Sequence, residues 1–122
     1  MKIKKVSLIL FSTLLLTFVG CSTDVETKLT APTNLVAKLS ETALNTINLT
    51  WDAVDGIDYY WIYYSTENDV SKAKYKTCAY RAKTSISLSE SGTYYFWVKS
   101  ANSYYSDDAI TSDFSESVSF TY

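Results

Sequence analysis

Few residues of this 122-residue chain have the types and spacing that catalysis or metal binding needs. Histidine is absent, which excludes a Ser–His–Asp triad and any metal site built on imidazole. Cys21 and Cys78 are the two cysteines, and a disulfide between them is one possibility. If Cys21 is used otherwise, Cys78 is a single thiol with no second thiolate to help bind zinc. We therefore expect no metal site and no cofactor.

Aspartates form two further groups. Asp52, Asp55 and Asp58 surround a glycine and resemble a calcium-binding loop, but the glutamate that completes an EF-hand loop is missing. Asp107 and Asp108 form the second group. Glycoside hydrolysis by a carboxylate pair would need a cleft, which a domain of this size rarely provides. We interpret both groups as turn residues, and we predict that the protein is not an enzyme.

The charge of the chain argues against two classes of partner. The formal net charge is −2, from 11 basic and 13 acidic residues, but Lys2, Lys4 and Lys5 belong to the leader described below. The rest of the chain is therefore more acidic than the total indicates. A nucleic-acid-binding surface needs a concentration of basic residues, so we expect no nucleic acid partner. The same shortage of basic residues opposes electrostatic adhesion to anionic lipid.

The first twenty residues have the features of an export signal. Three lysines precede an uncharged run, residues 6–19, which is too short to span a bilayer comfortably and has the usual length of a signal-peptide core. Val19, Gly20 and Cys21 then resemble the lipobox of bacterial lipoproteins, with Phe18 in place of the usual leucine. The resemblance implies cleavage before Cys21 and acylation of that residue. The alternative is an ordinary signal peptide followed by a cysteine of no special role.

These features divide the chain into three parts. We predict a signal peptide at 1–20, a lipidated N-terminus and flexible tether at 21–30, and a folded domain at 31–122. The tether is polar and shows no apolar period. Acyl chains on Cys21 would place it in a lipid bilayer, and Ser22 in the next position favours the outer membrane in bacteria that use aspartate there as a retention signal. We therefore expect an extracytoplasmic, lipid-anchored location in the cell envelope.

Seven segments of the domain carry the signals of β-strands. They are rich in aromatic and β-branched residues, and turn residues separate them. The segments are residues 35–39, 46–52, 59–65, 73–80, 84–88, 92–102 and 114–122. Alternation directs these side chains into the core: Ile47, Leu49, Trp51, Tyr60, Ile62, Tyr64, Ile86, Leu88, Phe96, Val98, Val118 and Phe120. We expect the second strand to be central and the lysine-bearing fourth strand to lie at an edge.

The pattern resembles a fibronectin type III domain over residues 31–122. The residues that carry the resemblance are Pro32, Leu35, Ile47, Leu49, Trp51, Tyr60, Ile62, Tyr64, Leu88, Gly92, Thr93, Tyr94, Phe96, Val98, Ala101, Asn102, Ser112 and Ser115. The resemblance implies an all-β, seven-stranded antiparallel immunoglobulin-like sandwich. It also implies three structural roles. Trp51 would be the centre of the core, and Leu88 and Tyr94 would form a tyrosine corner, with the Tyr94 hydroxyl bonded to nearby backbone.

The same resemblance makes the third and sixth strands neighbours and predicts an aromatic outer face. The residues of this candidate binding face are Trp61, Tyr63, Tyr75, Tyr95, Trp97, Tyr104 and Tyr105. Exposed aromatic patches of this size are typical of binding surfaces. The alternative is that cross-strand aromatic pairs stabilise the sheet, with the stems of Lys76 or Lys99 covering them.

Three functions fit these observations. The first is a membrane-anchored, non-catalytic module that binds a protein outside the cytoplasm, in adhesion or assembly. The second is a carbohydrate-binding accessory module, in which the same rings stack on sugars. The third is a passive structural spacer. We expect the first of these.

Overall fold

The structure is a computed structural model that describes residues 28–122. The predicted signal peptide, Cys21 and most of the predicted tether lie outside the described residues. Seven strands form two antiparallel sheets. The strands are β1 (Val36–Leu39), β2 (Thr46–Thr50), β3 (Tyr59–Ser65), β4 (Lys74–Ala79), β5 (Lys83–Ser87), β6 (Thr93–Ala101) and β7 (Val118–Thr121). One turn of 3₁₀ helix, Val70–Lys72, lies between β3 and β4.

The two sheets have the strand orders β1-β2-β5 and β4-β3-β6-β7. The predicted seven-stranded antiparallel sandwich is therefore confirmed. The second strand is central in its sheet and the fourth lies at an edge, as predicted. In the four-stranded sheet β3 and β6 are neighbours, and their register pairs Tyr63 with Trp97.

The main core fills the space between the sheets with the side chains that alternation predicted. Ile47, Leu49, Ile62, Phe96 and Val98 are all fully buried. Each buried side chain of this size contributes roughly 1.5–3 kcal/mol relative to an exposed one. Trp51 and Tyr60 meet edge to face in the same core, with ring centroids 5.4 Å apart. The alternate residues that the sequence pattern directed inward therefore form this core.

A tyrosine corner closes the connection between β5 and β6. The Tyr94 hydroxyl donates a hydrogen bond of 2.7 Å to the Glu90 carbonyl oxygen, and Leu88 is buried beside the core. Gly92 adopts a φ of 145°, which side chains disfavour, and its backbone exchanges two hydrogen bonds with Tyr122. The structural positions predicted for Leu88 and Tyr94 thus agree with the fold.

The last strand is shorter than predicted. The sequence placed it at 114–122, but β7 begins at Val118. Two serines of the preceding segment, Ser112 and Ser115, accept hydrogen bonds of 2.9 Å through their hydroxyls from the backbone N–H groups of Ser100 and Val98. Serine side chains therefore accept hydrogen bonds from β6 that the backbone of a regular neighbouring strand would accept. The segment before Val118 consequently does not need regular strand geometry.

Candidate functional site

The outer face of the four-stranded sheet is a second buried cluster. Trp61, Tyr63 and Trp97 are only 5%, 9% and 4% exposed, respectively, and they pack together with Ala101. The prediction that these three rings form part of an exposed patch is therefore wrong. Alternation correctly placed them on the face opposite the main core, but a long connection covers that face.

The covering segment, residues 103–114, lies over these rings. Tyr105 contacts Trp61, with ring centroids 4.7 Å apart, and Phe114 contacts Tyr63 at 4.9 Å. The indole N–H of Trp61 donates a hydrogen bond of 3.0 Å to the Ser103 carbonyl oxygen. These contacts join the loop that follows β6 to the sheet beneath it, so the aromatic residues stabilise the domain.

Lys99 adds a cation to the same cluster. Its ammonium group lies 4.3 Å from the ring centroid of Phe114 and 5.7 Å from that of Tyr63, within cation–π range. Lys99 therefore covers outer-face rings, as one of the two alternatives predicted. Lys76 instead lies over Tyr64, 5.6 Å from the ring centroid.

Burial changes the acidity of this cluster. Desolvation, with smaller contributions from the phenols of Tyr105 and Tyr75, raises the pKa of Tyr63 from 10.0 to about 12. Burial also raises the pKa of Tyr75, with Cys78 and Tyr105 as lesser causes. Because burial disfavours the charged phenolate, ionisation of these two tyrosines lowers the stability of the folded domain.

Alkaline pH should therefore destabilise the domain. The unfolded chain ionises Tyr63 near pH 10.0 and the folded chain near pH 12, so its contribution is complete below pH 10 and is lost as the pH rises through this window. The loss should be at most about 2–3 kcal/mol. Urea denaturation across this range measures it, and Tyr63→Phe is the control, since it removes the ionisable group. Equal losses in both proteins would show that Tyr63 is not responsible.

The exposed aromatic surface lies at one end of the sandwich. We define the tyrosine cluster as Tyr59, Tyr80, Tyr104 and Tyr105. The rings of Tyr59, Tyr80 and Tyr104 contact one another with centroid separations of 5.2–5.8 Å. Tyr80, Tyr104 and Tyr105 are 58%, 60% and 52% exposed, respectively. A hydrogen-bonding contact with the Tyr104 hydroxyl raises the pKa of Tyr80 to about 12.

The predicted binding face therefore divides into three groups. Trp61, Tyr63 and Trp97 are buried, Tyr75 and Tyr95 are half-buried, and Tyr104 and Tyr105 are exposed. Sequence reasoning missed Tyr80 and did not connect Tyr59 with it. Both stand at strand ends, Tyr59 as the first residue of β3 and Tyr80 directly after β4. That position is the signal that could have identified them.

The aspartates and the cysteine considered above as possible metal-binding or reactive groups lie in surroundings that indicate structural roles. Among residues 28–122, no three acidic, cysteine or histidine side chains lie close enough to hold a metal ion. Asp52 accepts a hydrogen bond of 2.6 Å from the Asn34 side-chain amide, which agrees with a turn residue. Cys78 is half-buried, and burial raises the pKa of its thiol, so the reactive thiolate is disfavoured.

Solved structures share this architecture. The crystal structure of a Fn3-like protein from Clostridium thermocellum matches with a TM-score of 0.59 and 22% identity, covering 72% of this chain and 86% of that one. The fold is that of a fibronectin type III domain. The human fibronectin type III domain derived from KIAA0970 protein matches with a TM-score of 0.60 and 21% identity, covering 86% of this chain and 85% of that one.

A second human domain supports the same assignment. The fibronectin type III domain of human fibronectin type III domain containing protein 3 matches with a TM-score of 0.55 and 22% identity, covering 77% of this chain and 85% of that one. No protein-family model matches the chain, and no curated protein matches it significantly. At these identities the likeness to fibronectin type III domains is one of fold, and a fold by itself does not establish function.

Proposed function

We propose that the protein is a membrane-anchored bacterial lipoprotein whose fibronectin type III fold is a non-catalytic module that binds a protein outside the cytoplasm. Its expected place is the cell envelope, with the outer membrane as the anchoring bilayer. The domain boundaries proposed from the sequence belong to this account: signal peptide 1–20, acylated Cys21 with its tether to residue 30, and the domain from residue 31.

The anchor is supported by the sequence of the leader. A lysine-rich start, an uncharged core and the Val19, Gly20, Cys21 sequence are the features that lipoprotein signals share. Among residues 28–122, no helix is long and apolar enough to cross a membrane. We expect the mature chain to carry acyl groups on Cys21, and Cys21→Ser to move the protein out of the membrane fraction. A Cys21→Ser protein that stays in the membrane would contradict the anchor.

The tyrosine cluster is the observation that carries the binding role. Its rings come from the ends of two neighbouring strands, β3 and β4, and from the loop after β6, and three of them are more than half exposed. The loop that holds Tyr104 and Tyr105 also contains serine and aspartate (residues 102–108). Tyrosine with small polar residues is the composition of many paratopes, since rigid rings give contact area at little entropic cost.

Replacing Tyr80 and Tyr104 with serine together should weaken partner binding at least about tenfold, or about 1.4 kcal/mol. Both rings are exposed, so the fold should change little. The measurement is recovery of the crosslinked partner from native membranes. Leu44→Ser is the matched control, because Leu44 is 92% exposed at the opposite end of the domain. Unchanged recovery with the double variant would favour the spacer alternative.

A carbohydrate partner is the second candidate, and one feature favours it. A groove of about 670 Å³ runs beside Tyr80, with Asn48, Arg81 and Ser85 among its lining residues. Aromatic rings next to hydrogen-bonding groups suit sugars. Binding of a polysaccharide should change tryptophan fluorescence, because Tyr105 of the cluster contacts Trp61. Flat emission across a polysaccharide panel would argue against this candidate.

A further inference from the structure

The described chain begins at the same end of the sandwich as the tyrosine cluster. The Ser100 hydroxyl donates a hydrogen bond of 2.7 Å to the Thr30 carbonyl oxygen. The next residue along β6, Ala101, pairs with Tyr59 of the cluster. Lys28 forms a 3.0 Å ion pair with Asp113, close to the end of the covering segment. Residues 28–30, assigned above to the tether, therefore contact the domain near its tyrosine-bearing end.

Chain length limits how far this end can lie from the proposed anchor. Lys28 follows Cys21 by seven positions, and a fully extended chain of seven steps reaches at most about 25 Å. The nine residues of β6 extend for roughly 30 Å. Leu44, at the opposite end of the sandwich, is therefore a full domain length further along the molecule. With Cys21 anchored as proposed, the tether would limit the distance of the tyrosine cluster from the bilayer surface more tightly than that of the far end.

The charges around the tyrosine cluster favour some binding partners over others. Acidic side chains at this end are Asp52, Asp55, Asp58, Asp107, Asp108 and Asp113, against the basic Lys28, Arg81, Lys83 and Lys99. An acidic excess opposes direct contact with anionic lipid headgroups. It favours a partner surface that offers lysine or arginine to the carboxylates and a flat area to the rings.

We propose that the tyrosine cluster binds a membrane-resident protein in the same bilayer, at a cationic surface within about 25 Å of the headgroups. This inference rests on the anchor and the binding role proposed above, and it adds that binding occurs in cis. A partner on another cell or on a distant surface would have to reach past the domain toward the anchoring bilayer.

Site-specific crosslinking of the full chain in the cells that make it tests this arrangement. A photoreactive benzoylphenylalanine replaces Tyr104 in one variant and Leu44 in the other, at opposite ends of the domain. We expect a protein adduct from position 104 and much less from position 44. In cells that make the unaltered protein, the partner identified from the adduct should stay in the membrane after alkaline carbonate extraction, as an integral protein does.

Tether length then separates cis from trans binding. A flexible spacer of about 21 residues inserted between Thr27 and Lys28 lengthens the tether about fourfold. The r.m.s. reach of a flexible chain grows as the square root of its length, so the cluster spreads over a layer about twice as deep above the bilayer and the cis adduct should fall about twofold. A trans partner becomes easier to reach, so its adduct would stay level or rise. Asp107→Lys with Asp108→Lys should also lower the adduct several-fold, since the ammonium groups that replace the two carboxylates repel a cationic partner.

Each contrary outcome has a distinct meaning. A yield that is level or rises with the spacer, or a partner released by carbonate, overturns the cis inference while the binding role stands. A lipid adduct at position 104 would show that the cluster contacts the bilayer, and it would contradict the proposed protein partner. An adduct of equal yield at positions 44 and 104 removes the cluster as the binding surface. No adduct at either position overturns both the inference and the proposed binding function.

Discussion

Replacing Trp97 with alanine should lower the free energy of unfolding by about 3–5 kcal/mol, as a substitution in a main core does. Trp97 is 4% exposed and lies in the cluster beneath the covering segment, on a strand that is central in its sheet. Removing the indole leaves a cavity that neighbouring rings cannot fill without moving the covering segment. Urea denaturation of the purified domain measures the loss.

Tyr104→Ala is the control for this prediction. Tyr104 belongs to the covering segment but is 60% exposed, so its removal should change stability by about 0.5 kcal/mol or less. If Trp97→Ala were as mild as Tyr104→Ala, the covering segment would not be closed over the outer face in solution. That result would restore Trp61 and Trp97 as candidates for a binding surface.

Trp51→Ala should destabilise the domain by a similar amount, about 3–5 kcal/mol. Trp51 is 6% exposed, and its ring meets Tyr60 in the main core. Trp51→Phe should cost much less, because the buried indole N–H of Trp51 has no hydrogen-bond partner among residues 28–122. Phenylalanine therefore removes ring volume and an unsatisfied donor together, and only the first of these costs stability.

Trp61→Phe provides the contrast. Its indole N–H bonds to the Ser103 carbonyl oxygen, so phenylalanine at this position loses a hydrogen bond as well as volume. We expect Trp61→Phe to cost about 1 kcal/mol more than Trp51→Phe. Equal costs in denaturation experiments would show that the bond between Trp61 and Ser103 contributes nothing to stability.

These expectations change how a binding experiment should be designed. Variants of Trp61 and Trp97 would lose stability first, and any loss of binding could then be a consequence of unfolding. The exposed pair Tyr80 and Tyr104 tests binding with little cost in stability. The buried rings stabilise the folded domain, whereas the tyrosine cluster is exposed and accessible to a partner.

The fold could be predicted because its signals are local. Alternation in β2, β3 and β6 separates the two faces of each strand, and turn residues separate the strands. The resemblance to fibronectin type III domains also placed the corner at Leu88 and Tyr94, and this corner needs only one hydrogen bond to backbone four residues away. The start of β7 was misplaced because serine hydroxyls took over part of its pairing, which apolar alternation cannot reveal.

The sequence by itself determined the architecture, the composition of the main core and the side of the sheet on which Trp61 and Trp97 lie. Only the tertiary structure decided whether that side is open, because exposure depends on what packs above a strand and alternation describes only the strand. It also brought Tyr80 to Tyr104, residues from different strand ends that meet through the β3–β4 and β3–β6 registers. Side-chain direction is encoded within a few residues, whereas a shared surface depends on contacts between segments far apart in the chain.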